Sequence, residues 1–324
     1  MEKRNKQRPR GIGARILATR SIGTVLVFVV VFVFFSLAAP FFLTLDNIIN
    51  ILRQISILTI IAMGMTLLLI SGSIDLSVGS VVGLSGVVSA LLVRDFGVPI
   101  LLGILIAVLI GGAVGLLNGL ITTKVKMPAL LATLGMMLAV RGVALIVTGG
   151  ASVLSLPEGF LVLGRGHVGI IPVPVLVMVG VVVVFVFIQQ WTVFPMYYYA
   201  VGGNRNASVL AGINADKVSI VIFVILGCLA GLAGIMTASR LGTGLSMAGE
   251  GIEFDVIIAV VVGGCSIFGG LGTVQGTILG AAIVGVITNG MIMMNLHSFY
   301  QMLAKGLLLI VAVGAETIRY EKAS

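Results

Sequence analysis

The sequence predicts an all-α polytopic membrane protein with about ten transmembrane helices and both termini in the cytoplasm. Two facts of composition and one pattern carry that prediction. Hydrophobic residues make up 59% of the 324-residue chain and charged residues only 9%. A soluble domain normally carries roughly 25% charged residues, so lipid must cover much of this surface. Apolar runs long enough to cross a bilayer recur along the chain, and Lys and Arg gather between alternate runs. Glycine is abundant at 44 residues while aromatics are scarce at 6%, and small residues let membrane helices approach closely.

A helix needs about twenty apolar residues to cross the hydrocarbon core. Such runs lie at 22–43, 54–72, 77–93, 98–121, 128–148, 171–189, 217–238, 253–266, 274–294 and 299–315. The third is short and rich in Gly and Ser. The eighth runs into Gly263, Gly264, Gly269, Gly270 and Gly272. Residues 1–21 form a basic N-terminal segment, 22–315 the transmembrane domain and 316–324 a tail. No small-residue cleavage site ends the first run, which therefore fits a retained span rather than a signal peptide.

Orientation follows from the basic residues. With Lys3, Arg4, Lys6, Arg8, Arg10, Arg15 and Arg20 in the cytoplasm, ten spans also place Lys124, Lys126, Arg205, Lys217, Arg319 and Lys322 there. The opposite face keeps Arg53, Arg94, Arg165 and Arg240. This asymmetry points to a cell (inner) membrane protein and accounts for the net charge of +8 without invoking nucleic acid. Cys228 and Cys265 sit inside apolar runs and read as small buried side chains. His167 and His297 are isolated, at outer loops or helix ends.

Three connections are long. The outer segment 149–170 contains Ser155, Pro157, Glu158, Arg165 and His167, and the outer segment 239–252 contains Arg240, Thr243, Ser246 and Glu250. The inner segment 190–216 is the longest. Within it Asn204 is a candidate N-cap, Arg205 to Ala211 would form about two turns, and Gly212 supplies a left-handed stop. Ala207, Leu210 and Ala211 fall on one side of that short helix. A face with small side chains and few cations suits protein docking better than lipid headgroups.

Spans two to five start outside and spans seven to ten start inside, which allows an inverted repeat. Each set contains a Gly-rich acidic stretch, Ser71 to Gly79 in the first and Gly249 to Asp255 in the second. Transporters built from inverted repeats often interrupt helices near the substrate path.

No Walker A motif and no His, Cys, Asp or Glu cluster with metal or nucleophile spacing is present. The sequence therefore offers no catalytic residue, no metal site and no cofactor site. Any uphill movement of a solute would draw its energy from a partner or an ion gradient. Ionisable groups near apolar runs are costly and invite a functional explanation. Asp75, beside Ser77, either caps the third span or lies in a pathway or gate. Glu253 and Asp255 pose the same choice at the eighth. Arg141 and Lys305 either pair with acids inside the bundle or snorkel to an interface. Asn118, Thr133, Asn289, Tyr300 and Gln301 could meet a hydroxyl-rich neutral solute, or bond helix to helix.

From about residue 20 to 315 the chain resembles the permease subunit of ribose-type monosaccharide ABC importers. The carrying segments are Gly64-Met65-Thr66, then Ser73 through Ser80, Ala132 through Met137 with Arg141-Gly142, and Gly202-Gly203-Asn204 with Ala211 through Asn214. Phe254-Asp255, Ala259 through Gly264, and Tyr300-Gln301-Met302 with Lys305 complete the set. The resemblance implies a pathway formed by two permease copies, homodimer or heterodimer, with ATP-binding subunits docked below and a soluble solute-binding protein above. It also matches Gly202 through Ile213 to the family's cytoplasmic coupling element, so that Gly202, Gly203, Asn204, Ala207, Leu210, Ala211, Gly212 and Ile213 would meet the ATPase. The chain departs from the family in lacking a basic residue near Thr273 and within 192–197. An ion-coupled secondary transporter of a small neutral solute is the alternative.

Overall fold

A computed structural model describes residues 12–321. Lys3, Arg4, Lys6, Arg8, Arg10 and Lys322 lie outside the described residues, as do the side chains of Arg15, Arg20 and Arg319. The helices are α1 (Ile12–Ala38), α2 (Leu45–Ile70), α3 (Val78–Asp95), α4 (Ile100–Thr123), α5 (Ala129–Thr148), α6 (Glu158–Arg165), α7 (Val173–Trp191), α8 (Phe194–Gly203), α9 (Arg205–Leu210), α10 (Ala215–Leu241), α11 (Ile252–Val262), α12 (Val274–Met293) and α13 (Ser298–Glu321). A hairpin of β1 (His167–Val168) and β2 (Ile171–Pro172) follows α6.

Each predicted apolar run is matched by a helix, and among the described residues eight helices are long and apolar enough to cross a membrane. The eighth predicted run departs from expectation. Instead of a span over 253–266, α11 has 11 residues, or about 16 Å of rise, against a hydrocarbon core of about 30 Å. It stops at Gly263, where a glycine-rich loop begins. Predicted loop 149–170 is likewise partly ordered, because α6 docks on α10. There the Gly164 N–H donates to Ser239 Oγ at 2.6 Å, and Ser239 Oγ donates to the Phe160 carbonyl at 2.6 Å.

Helix α2 is the axis of the bundle. It is apolar all round, and every residue from Ile55 to Ile70 is buried, as expected of a helix enclosed on all sides. By contrast, α13 and α7 keep most of their apolar side chains on the outside, where lipid takes the place of a protein core. The neighbours of α2–α5 recur among α10–α13. Helix α4 packs on α10 as α12 packs on α2, α3 on α10 as α11 on α2, and α3 on α5 as α11 on α13. Gln54, early in α2, shares a cavity with Arg240 and Leu241, the last residues of α10, so the paired helices run in opposite directions. This is the arrangement of an inverted repeat.

Glycine spacing sets the closest contacts. Gly111, Gly115 and Gly119 recur every fourth residue on α4 and face α10. A Cβ on Gly111 would lie 2.0 Å from the Gly227 carbonyl oxygen, and one on Gly115 would lie 2.2 Å from that of Phe223. The α11–α12 contact is as tight, with a Cβ on Gly280 falling 1.8 Å from the Ala259 oxygen. Any side chain at these points forces the backbones apart. Overpacking of this kind costs about 1–3 kcal/mol or more.

Gly111→Val is therefore expected to abolish the folded, monodisperse peak in fluorescence-detected size-exclusion chromatography. Gly180→Ala on α7, where nothing lies within 4 Å of the new methyl, should leave the peak unchanged. Equal behaviour of the two variants would refute the close-packed α4–α10 seam.

Candidate functional site

The end of the bundle that the Lys and Arg bias assigns to the cytoplasm is where α2, α4 and α8 finish and α10 begins. Here α9 forms as the sequence predicts. Asn204 caps it by accepting the Ala207 N–H at 2.9 Å. Gly212, at φ +84°, ends it, while the Ile213 N–H reaches back to the Ser208 carbonyl at 3.0 Å. Leu210 is 89% exposed beside exposed Ala207 and Ala211, an apolar side with no covering element among the described residues. The element is anchored by charge. Arg205 donates to Asp216 at 2.6 Å and to Ser219 Oγ at 3.2 Å, and Asp216 also pairs with Lys124 at 3.2 Å. These contacts tie α9 to the first turn of α10 and the end of α4. Helix α8, absent from the sequence-based expectations, precedes it. Gly202 and Gly203 form the last turn of α8, and a Cβ on Gly202 would lie 1.7 Å from the Ile70 carbonyl oxygen. Thr273, near which the resemblance leads one to expect a basic residue, caps α12 by accepting the Gly276 N–H at 3.1 Å.

The candidate pathway residues separate into five places. Between α2 and α3 the chain leaves helical geometry at residues 71–77. Asp75 is 2% exposed. Its Oδ1 accepts the Ser77 N–H and the Ser77 hydroxyl, both at 2.7 Å, and its Oδ2 accepts Asn118 Nδ2 at 3.0 Å. The carboxylate thus closes a turn just ahead of α3 and fastens that turn to α4. It does not reach the N–H groups of the first helical turn. Asn118 Oδ1 is buried without a partner.

The second place is the chain from α10 into α11. Residues 242–251 turn back into the bundle, with Gly242, Gly249 and Gly251 all at positive φ. Val153 and Gly244 form a two-way backbone bridge, and Ser246 Oγ donates to the Ala144 carbonyl at 3.0 Å. Arg141 donates to the carbonyls of Ser246 and Ala248, so its guanidinium is held chiefly by backbone oxygens instead of the acid partner expected. At the start of α11, Glu253 Oε1 accepts the Gly251 N–H at 3.2 Å while Oε2 is buried and unbonded. Asp255 meets Lys305 of α13 at 2.7 Å, the intramembrane pair expected for that lysine.

The remaining candidates lie apart. Asn289 exchanges two amide hydrogen bonds with Asn47, at 2.9 and 3.0 Å, and so locks α12 to α2. Thr133 is buried on α5 and donates to the Ala129 carbonyl at 2.9 Å. Tyr300 and Gln301 lie at the exposed start of α13, where Gln301 donates to the Leu296 carbonyl at 2.9 Å. A cavity of about 230 Å³, toward the end of the bundle opposite α9, is lined by Gln54, Thr237, Arg240, Glu250, Asp255 and Thr288 together with apolar residues of α2, α11 and α12. It collects Asp255 among the candidates. Arg240 and Glu250 stand out in the sequence as part of the segment 239–252, but Gln54, Thr237 and Thr288 do not, because single polar residues within helices give no periodic signal. Arg53, next to Gln54 in sequence, lies 2.5 Å from His167 Nε2.

The family described as branched-chain amino acid transport system permease components matches residues 47–313. The chain belongs to that permease family. It is a multi-pass membrane protein of the cell membrane, and its relatives resemble it along nearly their full length. The ribose import permease protein of Haemophilus influenzae is 40% identical over 309 residues, covering 94% of each chain. The L-arabinose ABC transporter permease protein of Azospirillum brasilense is 40% identical over 306 residues, 94% of this permease and 89% of its own length. The D-allose transport system permease protein of Escherichia coli is 34% identical over 290 residues, 90% and 89% of the two chains. No solved structure matches this permease.

Two outcomes are expected of the interior charges. Lys305→Met leaves Asp255 without its cation and should lower the melting temperature of the purified permease, and adding Asp255→Asn should recover most of the loss. A double variant no more stable than the single one would dismiss the pair. Asp75→Ala strands Ser77 and Asn118 and should cost about 1–3 kcal/mol. Asp75→Asn keeps one acceptor, and the free Asn118 Oδ1 can receive its amide, so it should melt near the parent. An Asp75→Asn protein that melts normally yet transports nothing would place Asp75 in the pathway instead of in a turn.

Proposed function

We propose that this chain is the permease subunit of an ABC importer for a monosaccharide or related polyol. Two copies, homodimeric or paired with a paralogue, would form the pathway. ATP-binding subunits would dock on α9 and the end of α8, and an extracytoplasmic solute-binding protein would deliver the sugar to the outer face. The domain limits that fit this assignment are a basic segment at 1–21, a membrane domain at 22–315 with its coupling element in 190–216, and a tail at 316–324, with both termini cytoplasmic.

The observation that carries the proposal is the conjunction of full-length similarity to sugar import permeases with a capped, outward-facing α9 at the end the Lys and Arg bias assigns to the cytoplasm. The chemistry agrees. ATP hydrolysis belongs to the separate subunits, and the permease supplies a passage and a switch. The cavity opposite α9 offers neutral and charged hydrogen-bonding groups beside an apolar wall, a lining suited to a polyhydroxylated solute. Such a site can change conformation with ATP only if the docked subunits bind one state more tightly than the other.

Reconstitution tests this. Liposomes containing the permease alone should accumulate no D-ribose, L-arabinose or D-allose under a proton or sodium gradient. Adding the ATP-binding and solute-binding partners with ATP should produce concentrative uptake of at least one sugar of this class. Gradient-driven uptake by the permease alone would establish the secondary transporter instead. Within the importer, Leu210→Glu places a charge on the exposed side of α9 and should reduce co-purification of the ATP-binding chain. Gly212→Val forces a β-branched residue into φ +84° and should uncouple ATP hydrolysis from uptake.

A further inference from the structure

The loop between α11 and α12 joins two regions that the proposed function treats separately. Residues 263–273 connect the acidic half-helix α11 to α12. Gly264, Gly269 and Gly270 have φ of +94°, +89° and +75°, a conformation L side chains rarely adopt. The loop is braced internally. The Ser266 N–H donates to the Leu271 carbonyl at 2.9 Å, and Ser266 Oγ accepts the Phe268 N–H at 3.3 Å. A segment closed on itself in this way moves as a unit.

Two of its outward contacts reach the ends of α2 and α8. The Gly270 N–H donates to the Ile70 carbonyl, the last of α2, at 2.8 Å. A Cβ on Gly269 would sit 2.7 Å from the Gly202 oxygen, so the loop lies directly on the end of α8. One side chain bonds it there: Tyr199 Oη donates to the Gly272 carbonyl at 2.5 Å. Tyr199 stands one helical turn before Gly203, and Asn204, which caps α9, follows. In the other direction the loop continues into α11, with Glu253 and Asp255 at its far end.

We propose that this glycine loop carries displacement of α9 to α11, and that Tyr199 is the positioning residue that makes it follow α8. The proposal rests on α9 being the docking element for the ATP-binding chain. A second route starts from the same place, since Arg205 and Asp216 tie α9 to α10 and, through Lys124, to α4. That route runs through side chains more than a third exposed, and exposed ion pairs hold weakly. The Tyr199 bond is half-buried and reaches a carbonyl that gives it one geometry. Removing one neutral hydrogen bond shifts a two-state balance by roughly fivefold, enough to read out but too little to unfold a bundle of this size.

The test follows α11 directly and needs no knowledge of the solute. Glu250, exposed beside the cavity opposite α9 and two residues before α11, is replaced by Cys in a Cys228→Ala background, with the fully buried Cys265 retained. The permease is reconstituted with its ATP-binding chain, and labelling by a small methanethiosulfonate is timed with and without ATP plus vanadate. In the parent, nucleotide trapping should change the labelling rate. Tyr199→Phe should shrink that change roughly fivefold, with co-purification of the ATP-binding chain and its ATP hydrolysis retained, whereas Asp216→Asn should leave the change in place. A nucleotide-dependent change that survives Tyr199→Phe, that is lost only in Asp216→Asn, or that is absent from the parent would overturn the proposal. The docking assignment fails on a different reading, if Leu210→Glu leaves co-purification of the ATP-binding chain intact.

Discussion

The structure depends on one constraint, that a backbone N–H or C=O leaving helical geometry inside a bilayer must find a partner in the protein. Two of the stretches that leave helical geometry, 71–77 and 242–251, are each furnished with their own polar groups. At the first, Asp75 gathers the Ser77 amide and hydroxyl and draws in Asn118. At the second, Arg141 reaches from α5 to carbonyls that no helix bonds. An acid serves donors at one break and a base serves acceptors at the other. Buried charge in this permease is therefore first an answer to exposed backbone. Its use in moving a solute is built on breaks that already had to be served.

The inverted repeat follows from the same economy. Helix α2 fills the centre because it is apolar on every side, and α10 lies antiparallel to it at glycine-limited distance from α4. Once α2 and α10 occupy equivalent places, their partners α12 and α4 do too. Contacts made through glycine leave no room to adjust, so such seams behave as rigid bodies, and motion is left to the elements with fewer neighbours. Helix α11 belongs to such a seam with α12, so those two helices move together.

Much of this was legible in the sequence. Length and apolarity located every membrane helix, and the Asn204 cap with the Gly212 stop located α9, because capping chemistry is local. The length of α11 was not legible, since Val-rich residues 256–262 read the same whether the helix stops at Gly263 or continues. The role of Arg141 was hidden because its partners are backbone carbonyls more than a hundred residues away, which carry no residue-type signature. For Asn289 the sequence left a solute contact and a helix-to-helix bond both open, as one amide cannot announce that Asn47 will face it. Helix α8 was passed over because its aromatic residues, Tyr197, Tyr198 and Tyr199, show no long apolar period.

The placement of α13 has a consequence for the surroundings of the molecule. This helix rests chiefly on α11 and is fastened to it by Lys305 and Asp255, while the rest of its circumference is open and apolar. Any tilt of α11 must drag α13 through the annular lipid. The stiffness and lateral pressure of the bilayer thereby become part of the load on the switch, and the same protein should work at a different rate in a thicker or more ordered membrane.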